Sequence, residues 1–261
     1  YADTLVLSYN NLGGVLTDER KLGEAIAAYQ ESISLTRQLV KDHPDKITYI
    51  DSLAITSNNT GRLLEASGKL ESAAVAYMVA TVQLSRLAQA NPMIPRYKKD
   101  AAITLINQAR VFSRLRTFEN AKKACESAIL FQKELVADYP DKPEYFLHLS
   151  NGYVMQGYFS ITSGDYSAAV DSSETLRQLT PATAQPAAQM GNLYNAACLL
   201  SLASAAAAKD EDLAEAEEML DNVGELGDRD LFFDADHRQK VADAQLEILL
   251  TLRRYEPAHE V

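Results

Sequence analysis

The chain has 261 residues, of which 47% are apolar and 23% charged, with only 11 glycines and 8 prolines. That composition excludes disordered and collagen-like classes and favours an ordered, helix-rich chain. The net charge of −11 is concentrated at one end, because residues 209–261 hold 16 acidic and 6 basic residues whereas the preceding body holds 20 and 19, which argues against sequence-independent nucleic-acid binding through a basic stripe.

Along the chain the first feature is a repeat. Tyr1, Tyr49, Tyr97 and Tyr145 are 48 residues apart, as are Pro44, Pro92 and Pro140, the small residues Gly13, Gly61, Ala109 and Gly157, and the series Leu5, Leu53, Ala101 and Leu149. A period of about 20 to 50 residues marks an array whose units bury their apolar faces by stacking on one another. In the first unit Leu5, Tyr9, Leu12 and Leu16 form one helical face, and Leu22, Ala25, Ile26, Tyr29, Ile33 and Val40 another, around a polar turn at residues 17–20. The second block stops at His43-Pro44, since proline and the residue before it cannot continue a helix. Each unit therefore reads as a helix hairpin.

The second unit predicts helices over 52–66 and 69–90 around Gly68, and the third over 101–115 and 118–137. The fourth predicts 144–163 and 166–179 around Gly164-Asp165, where glycine, as at Gly68, can take positive φ at a helix C-terminus. A fifth pair over 186–208 and 211–226, out of strict phase, and a last helix over 234–254 complete the expectation. The architecture is then a single all-α superhelical domain over 1–261, with repeats at about 1–48, 49–96, 97–144, 145–184 and 185–227 and a terminal capping helix.

Cys125 and Cys198 each lie in a helical apolar pattern and read as buried free thiols. The longest apolar run, residues 196–208, is too short for the roughly 20 residues of a membrane span. No signal peptide is visible, which favours the cytoplasm, although Tyr1 already lies inside a repeat and the start of the chain is no guide to targeting. One basic patch stands out locally, with Arg96, Lys98, Lys99, Arg110, Arg114, Arg116, Lys122 and Lys123 against Asp100 and Glu119.

The columns resemble the tetratricopeptide repeat (TPR), whose pattern of Leu-Gly, an aromatic or Leu, then Ala, aromatic, Ala and Pro reflects packing of helix A on helix B. Leu12-Gly13, Leu16, Ala25, Tyr29, Ser32 and Pro44 carry it in the first unit, and Gly61, Leu64, Gly68, Ala73, Tyr77, Ala80 and Pro92 in the second. The third keeps Ala109, Phe112, Ala121, Cys125, Ala128 and Pro140, and the fourth keeps Gly157, Gly164, Ala169 and Leu176 but has Ser160 and Ser173 where bulk is expected. The family's basic unit has about 34 residues, so a 48-residue unit implies lengthened helices. More narrowly, residues 8–13, 24–33, 42–49, 138–145 and 194–198 resemble the C-terminal repeat region of planctomycete serine/threonine protein kinases.

Kinase catalytic signatures are absent from the sequence, as is a Gly-x-Ser-x-Gly nucleophile motif. His43, His148, His237 and His259 have no ligand partner at metal-site spacing, so neither a metal nor a cofactor is expected. Asn11, Asn59 and Asn107 repeat at 48. The resemblance implies that this helix A position faces a concave groove, where an amide can donate to and accept from an extended peptide. Asn195 continues that column out of strict phase. The alternative is that these amides bridge adjacent helix A backbones or face solvent. Arg62, Arg110 and Arg114 share the asparagine face and suit an acidic or phosphorylated ligand, or else pair with Glu65 and neighbouring acids.

The functional expectation is a noncatalytic protein- or peptide-binding scaffold, the C-terminal part of a larger signalling protein such as a kinase. Its partner would be a protein or extended peptide, acidic if the arginines select it, with neither nucleic acid nor membrane contact. The alternatives are a module that self-associates through its first repeat, and a small-ligand sensor or enzyme with a site inside the superhelix. The acidic end reads as a solubilising cap or as a ligand for another molecule's basic groove.

Overall fold

In the computed structural model the described residues are 2–179 and Ala196. They form eight α-helices, and no strand occurs among them: α1 (Ala2–Asp18), α2 (Leu22–Asp42), α3 (Ile47–Ala66), α4 (Leu70–Ala90), α5 (Pro95–Arg114), α6 (Phe118–Asp138), α7 (Pro143–Ser163) and α8 (Tyr166–Gln178). The fifth pair, the last helix, Tyr1, Asn195 and Cys198 lie outside the described residues. Consecutive helices pair as hairpins, with α1, α3, α5 and α7 as A helices and α2, α4, α6 and α8 as B helices. The B helices begin at Leu22, Leu70, Phe118 and Tyr166, at intervals of 48.

Every A-to-B turn among the described residues uses one device. The backbone adopts positive φ at Arg20 (59°), Gly68 (75°), Arg116 (58°) and Gly164 (82°). The next amide reaches back to close the helix end, Lys21 to the Leu16 carbonyl and Lys69 to that of Leu64 (both 2.9 Å), Thr117 to that of Phe112 (2.9 Å) and Asp165 to that of Ser160 (2.8 Å). This is a Schellman closure, in which a left-handed residue lets orphan carbonyls be satisfied. Glycine was foreseen at two of these sites; at the other two the same conformation falls on arginine, whose Cβ makes it costlier by about 1–2 kcal/mol.

The B-to-A connections are proline turns, closed by Lys46 N–H on His43 (3.1 Å), Ile94 on Asn91 (3.0 Å) and Lys142 on Tyr139 (3.1 Å). Proline second in such a turn has its φ preset. Two A helices start earlier than the apolar pattern suggests, at Ile47 and Pro95 rather than 52 and 101. Pro95 and Pro143 lie in the first helical turn, where the missing N–H costs nothing.

The chain divides into two compact units, 1–138 and 139–261. In the first, one core cluster joins three successive hairpins through Ala25, Ile26, Tyr29, Leu63, Leu64, Ala73, Ala74, Tyr77 and Val111. A second cluster packs Ile50, Leu87, Ala88 and Tyr97 together. Tyr77 and Ala73 are fully buried. Gly13 and Gly61 explain the small-residue column: a Cβ on either would sit 2.6–2.9 Å from the Tyr29 ring or 2.7–3.0 Å from the Tyr77 ring. In the third hairpin the pair is Ala109 with Cys125, both fully buried, so a larger A residue coincides with a smaller B residue. Burial pushes the Cys125 thiol up to about 12, as expected of a small inert hydrophobe.

In the second unit α7 buries Tyr145, Leu149, Tyr153 and Phe159, and α8 buries Ala169 and Leu176. Ser160 and Ser173 are buried where bulk was expected, and Ser173 Oγ donates to the Ala196 carbonyl at 2.8 Å, so the lost bulk is replaced by a polar tie. The apolar face assigned to the first helix needs correction. Leu5 and Leu12 are 36% and 47% exposed, and α1 buries only Val6 and Gly13. The cause is its packing: α1 lies on α2, whereas α3 contacts α2, α4 and α5.

Candidate functional site

The A helices of the first unit carry two sets of polar residues, one that ties α3 to α5 and one that stays open. The ties run along α3 at every second turn, from Asp51, Asn58 and Glu65. Arg96 donates to Asp51 at 2.6 Å, Thr104 Oγ1 donates to Asn58 Oδ1 at 3.3 Å, and Glu65 gathers the end of the ladder. Glu65 accepts Arg110 Nε at 2.9 Å and Nη2 at 3.0 Å, Arg114 Nη1 at 3.3 Å, and the Tyr77 hydroxyl at 3.0 Å. The Glu65 side chain is only 11% exposed. Burial alone would raise its carboxyl, but Arg110, the Tyr77 hydroxyl and Arg114 together outweigh this and hold it below its ordinary value. Burial first, and the Glu65 charge second, drive the Tyr77 hydroxyl upward, so it stays a donor.

Two of the three arginines expected to select an acidic ligand are therefore spent, at least in part, on Glu65 of the preceding A helix. Both still expose close to half of their side chains. Arg62 is exposed one turn before Glu65. The basic patch seen in the sequence is offset in part, with Arg96 on Asp51 and on the patch's own Asp100, and Lys98 on Glu134 and Asp138 at 3.0 and 2.9 Å.

The asparagine column is the open set. Asn11 is exposed, Asn59 and Asn107 are half-buried, and none of the three amides makes a side-chain hydrogen bond among the described residues. The amide that bridges α3 and α5 is Asn58, one position earlier. Four residues before each column member stands an exposed aliphatic side chain, Leu7 at 59%, Ile55 at 40% and Ile103 at 37%. Residues four apart share a helix face. The A helices thus present an aliphatic tier beside an amide tier. Sequence reasoning misses the aliphatic tier, although Leu7, Ile55 and Ile103 recur at 48 as the asparagines do, because apolar spacing on a helix does not separate a surface row from a core face.

No cluster of three or more metal-ligating side chains occurs among the described residues. Nor is any described helix long and apolar enough to cross a membrane.

Antiparallel helix hairpins stacked through a small-residue and aromatic column define a TPR-like α-solenoid. A family model of the tetratricopeptide repeat matches residues 5–45. No curated protein matches the sequence at a significant level. Among solved structures the chain is similar to BtubC (BKLC) from P. vanneervenii, at 19% identity and a TM-score of 0.57 over 89% of this chain and 84% of that one. It is also similar to a Podosopora anserina protein titled as a kinesin light chain with nearly identical TPR-like repeats, at 14% identity and a TM-score of 0.60 over 89% of this chain and 99% of that one. At these identities the likeness is one of fold.

Proposed function

We propose that the chain is a noncatalytic scaffold module that captures a protein or an extended peptide on its A helices, as the C-terminal part of a larger signalling protein of the serine/threonine kinase type. The observation that carries this reading is the pair of tiers at one interval: unbonded amides at Asn11, Asn59 and Asn107 beside exposed aliphatics at Leu7, Ile55 and Ile103. An amide can both donate to and accept from a peptide backbone, and an aliphatic row gains from being covered. Arg62 and the exposed portions of Arg110 and Arg114 add charge selection at one end of the tiers. The equal intervals between B-helix starts support a lengthened 48-residue unit, and the sequence stretches quoted above support the kinase context.

The test is a titration of an extended-peptide library against the wild type and the Asn59→Ala/Asn107→Ala variant. Affinity should fall with each lost hydrogen bond by about 0.5–1.5 kcal/mol while the melting temperature stays nearly unchanged. Equal binding by both proteins would place the ligand on another surface. A second reading, self-association through the first repeat, is favoured by the four aliphatics Leu5, Leu7, Leu12 and Val15 exposed on α1. A monomer by light scattering at high concentration would dismiss it.

A further inference from the structure

Between the B helices α2 and α4 lie two adjoining cavities of about 620 and 460 Å³, which share Arg37, Lys41, Val75 and Val79 and so form one continuous groove. Its floor in the larger cavity is α3, through Ser57, Thr60 and Leu64. None of the asparagine-column residues lines it.

Three independent features of this groove point to one kind of occupant. On the α4 wall Val75, Met78 and Val82 are 54%, 48% and 57% exposed, and with Val79 they follow the spacing of one helix face. They make an aliphatic ridge with nothing packed over it among the described residues. On the α2 wall Arg37 and Lys41 stand one turn apart, neither is in an ion pair among the described residues, and no carboxylate lines either cavity. On the floor Ser57 is 1% exposed and its hydroxyl has no hydrogen-bond partner. Its neighbours on α3 behave differently, since Thr60 Oγ1 donates to the Thr56 carbonyl at 2.7 Å and Thr56 Oγ1 to that of Ser52 at 2.8 Å. A buried hydroxyl without a partner is unfavourable, and one that lines a groove is satisfied by whatever oxygen enters there.

We infer that the groove between α2 and α4 is a second peptide site, separate from the asparagine column, and that it takes an acidic segment of a partner protein bearing aliphatic side chains. The aliphatic side chains cover the α4 ridge, the carboxylates meet Arg37 and Lys41, and a main-chain carbonyl accepts from Ser57. Nucleic acid fits poorly, since the groove offers two cations and no aromatic platform on which bases could stack.

The experiment uses the full chain and a short, fluorescein-labelled synthetic peptide of glutamate and leucine, followed by fluorescence anisotropy at low and high salt. The same peptide with lysine in place of glutamate is the control. Saturable binding of the acidic peptide is expected, weaker at high salt and weaker by about tenfold or more in Arg37→Glu/Lys41→Glu. A loss of several-fold is expected in Ser57→Ala. Both charge-reversed positions are exposed, so circular dichroism should show that variant folded, and it decides the question even if a ridge variant such as Val79→Glu fails to fold. Three results would overturn the inference: no saturable binding, equal binding of the lysine peptide, or binding indifferent to the Arg37 and Lys41 changes. Loss of binding in the asparagine variant alone would instead assign the acidic peptide to the A-helix face.

Discussion

The Gly61–Tyr77 contact offers the sharpest test of how the hairpins are packed. A methyl group on Gly61 would lie 2.7 Å from two Tyr77 ring carbons and 3.0 Å from a third, whereas unstrained carbon contacts lie near 3.5–4.0 Å. The ring is fully buried and its hydroxyl is bonded to Glu65, so it cannot simply withdraw. Gly61→Ala should therefore incur an overpacking cost of about 3 kcal/mol, offset by about 1 kcal/mol of improved helix propensity, for a net loss of about 2 kcal/mol. Tyr77→Cys alone should cost about 3–5 kcal/mol as an aromatic cavity opens. In the double variant the clash is gone, and the pair has the composition of the third hairpin's Ala109 and Cys125. Gly61→Ala should then stabilise by about 1 kcal/mol, a change of sign worth a coupling of about 3 kcal/mol. Urea denaturation of the four proteins, followed by far-UV circular dichroism, measures this cycle. Effects that add to within about 0.5 kcal/mol would refute the proposed packing of helix A on helix B.

Two further perturbations probe the turns and the Glu65 cluster. Arg116→Gly and Arg20→Gly should each raise stability by about 0.5–1 kcal/mol, because relief of the left-handed strain exceeds the entropy that glycine adds to the unfolded chain; Arg116→Gly should gain less, as it loses the guanidinium lying 5.8 Å from the Phe118 ring centroid. Melting curves of the two variants check the order. Glu65→Gln should destabilise by about 1–3 kcal/mol at neutral pH by unpairing Arg110 and weakening the tie to Tyr77. The Glu65 carboxyl is held below its ordinary value of 4.5 in the folded protein, so its contribution is complete above that value and is lost as pH falls through the lower folded value. The stability difference between wild type and Glu65→Gln should shrink in acid, and a difference that grew as pH fell would contradict the assignment.

Much of the local structure was legible in the chain itself. Helical periodicity located eight helices to within a few residues, with the largest errors at the starts of α3 and α5, which begin at Ile47 and Pro95 rather than 52 and 101. The left-handed turns at Gly68 and Gly164 and the burial of Ala73 and Tyr77 followed from glycine chemistry and the repeated columns. These features depend on residues within one turn or one hairpin, where sequence spacing is spatial spacing.

What spacing could not supply was which side chain meets which across hairpins. The sequence leaves Arg110 and Arg114 either open to a ligand or paired with Glu65, and only the tertiary structure decides between these by bringing Glu65, 45 and 49 residues earlier, against them. Gly61 and Tyr77 are visible separately in the sequence, but that a Cβ on Gly61 would lie 2.7 Å from the Tyr77 ring depends on how closely α3 and α4 approach. The apolar stripe of α1 reads like that of α3, yet α1 is exposed because burial depends on neighbours rather than on the stripe. The α2–α4 groove has no sequence signature at all. It exists because two B helices leave a gap over α3, and the width of such a gap is decided by helix crossing and side-chain volume, which no periodic pattern encodes.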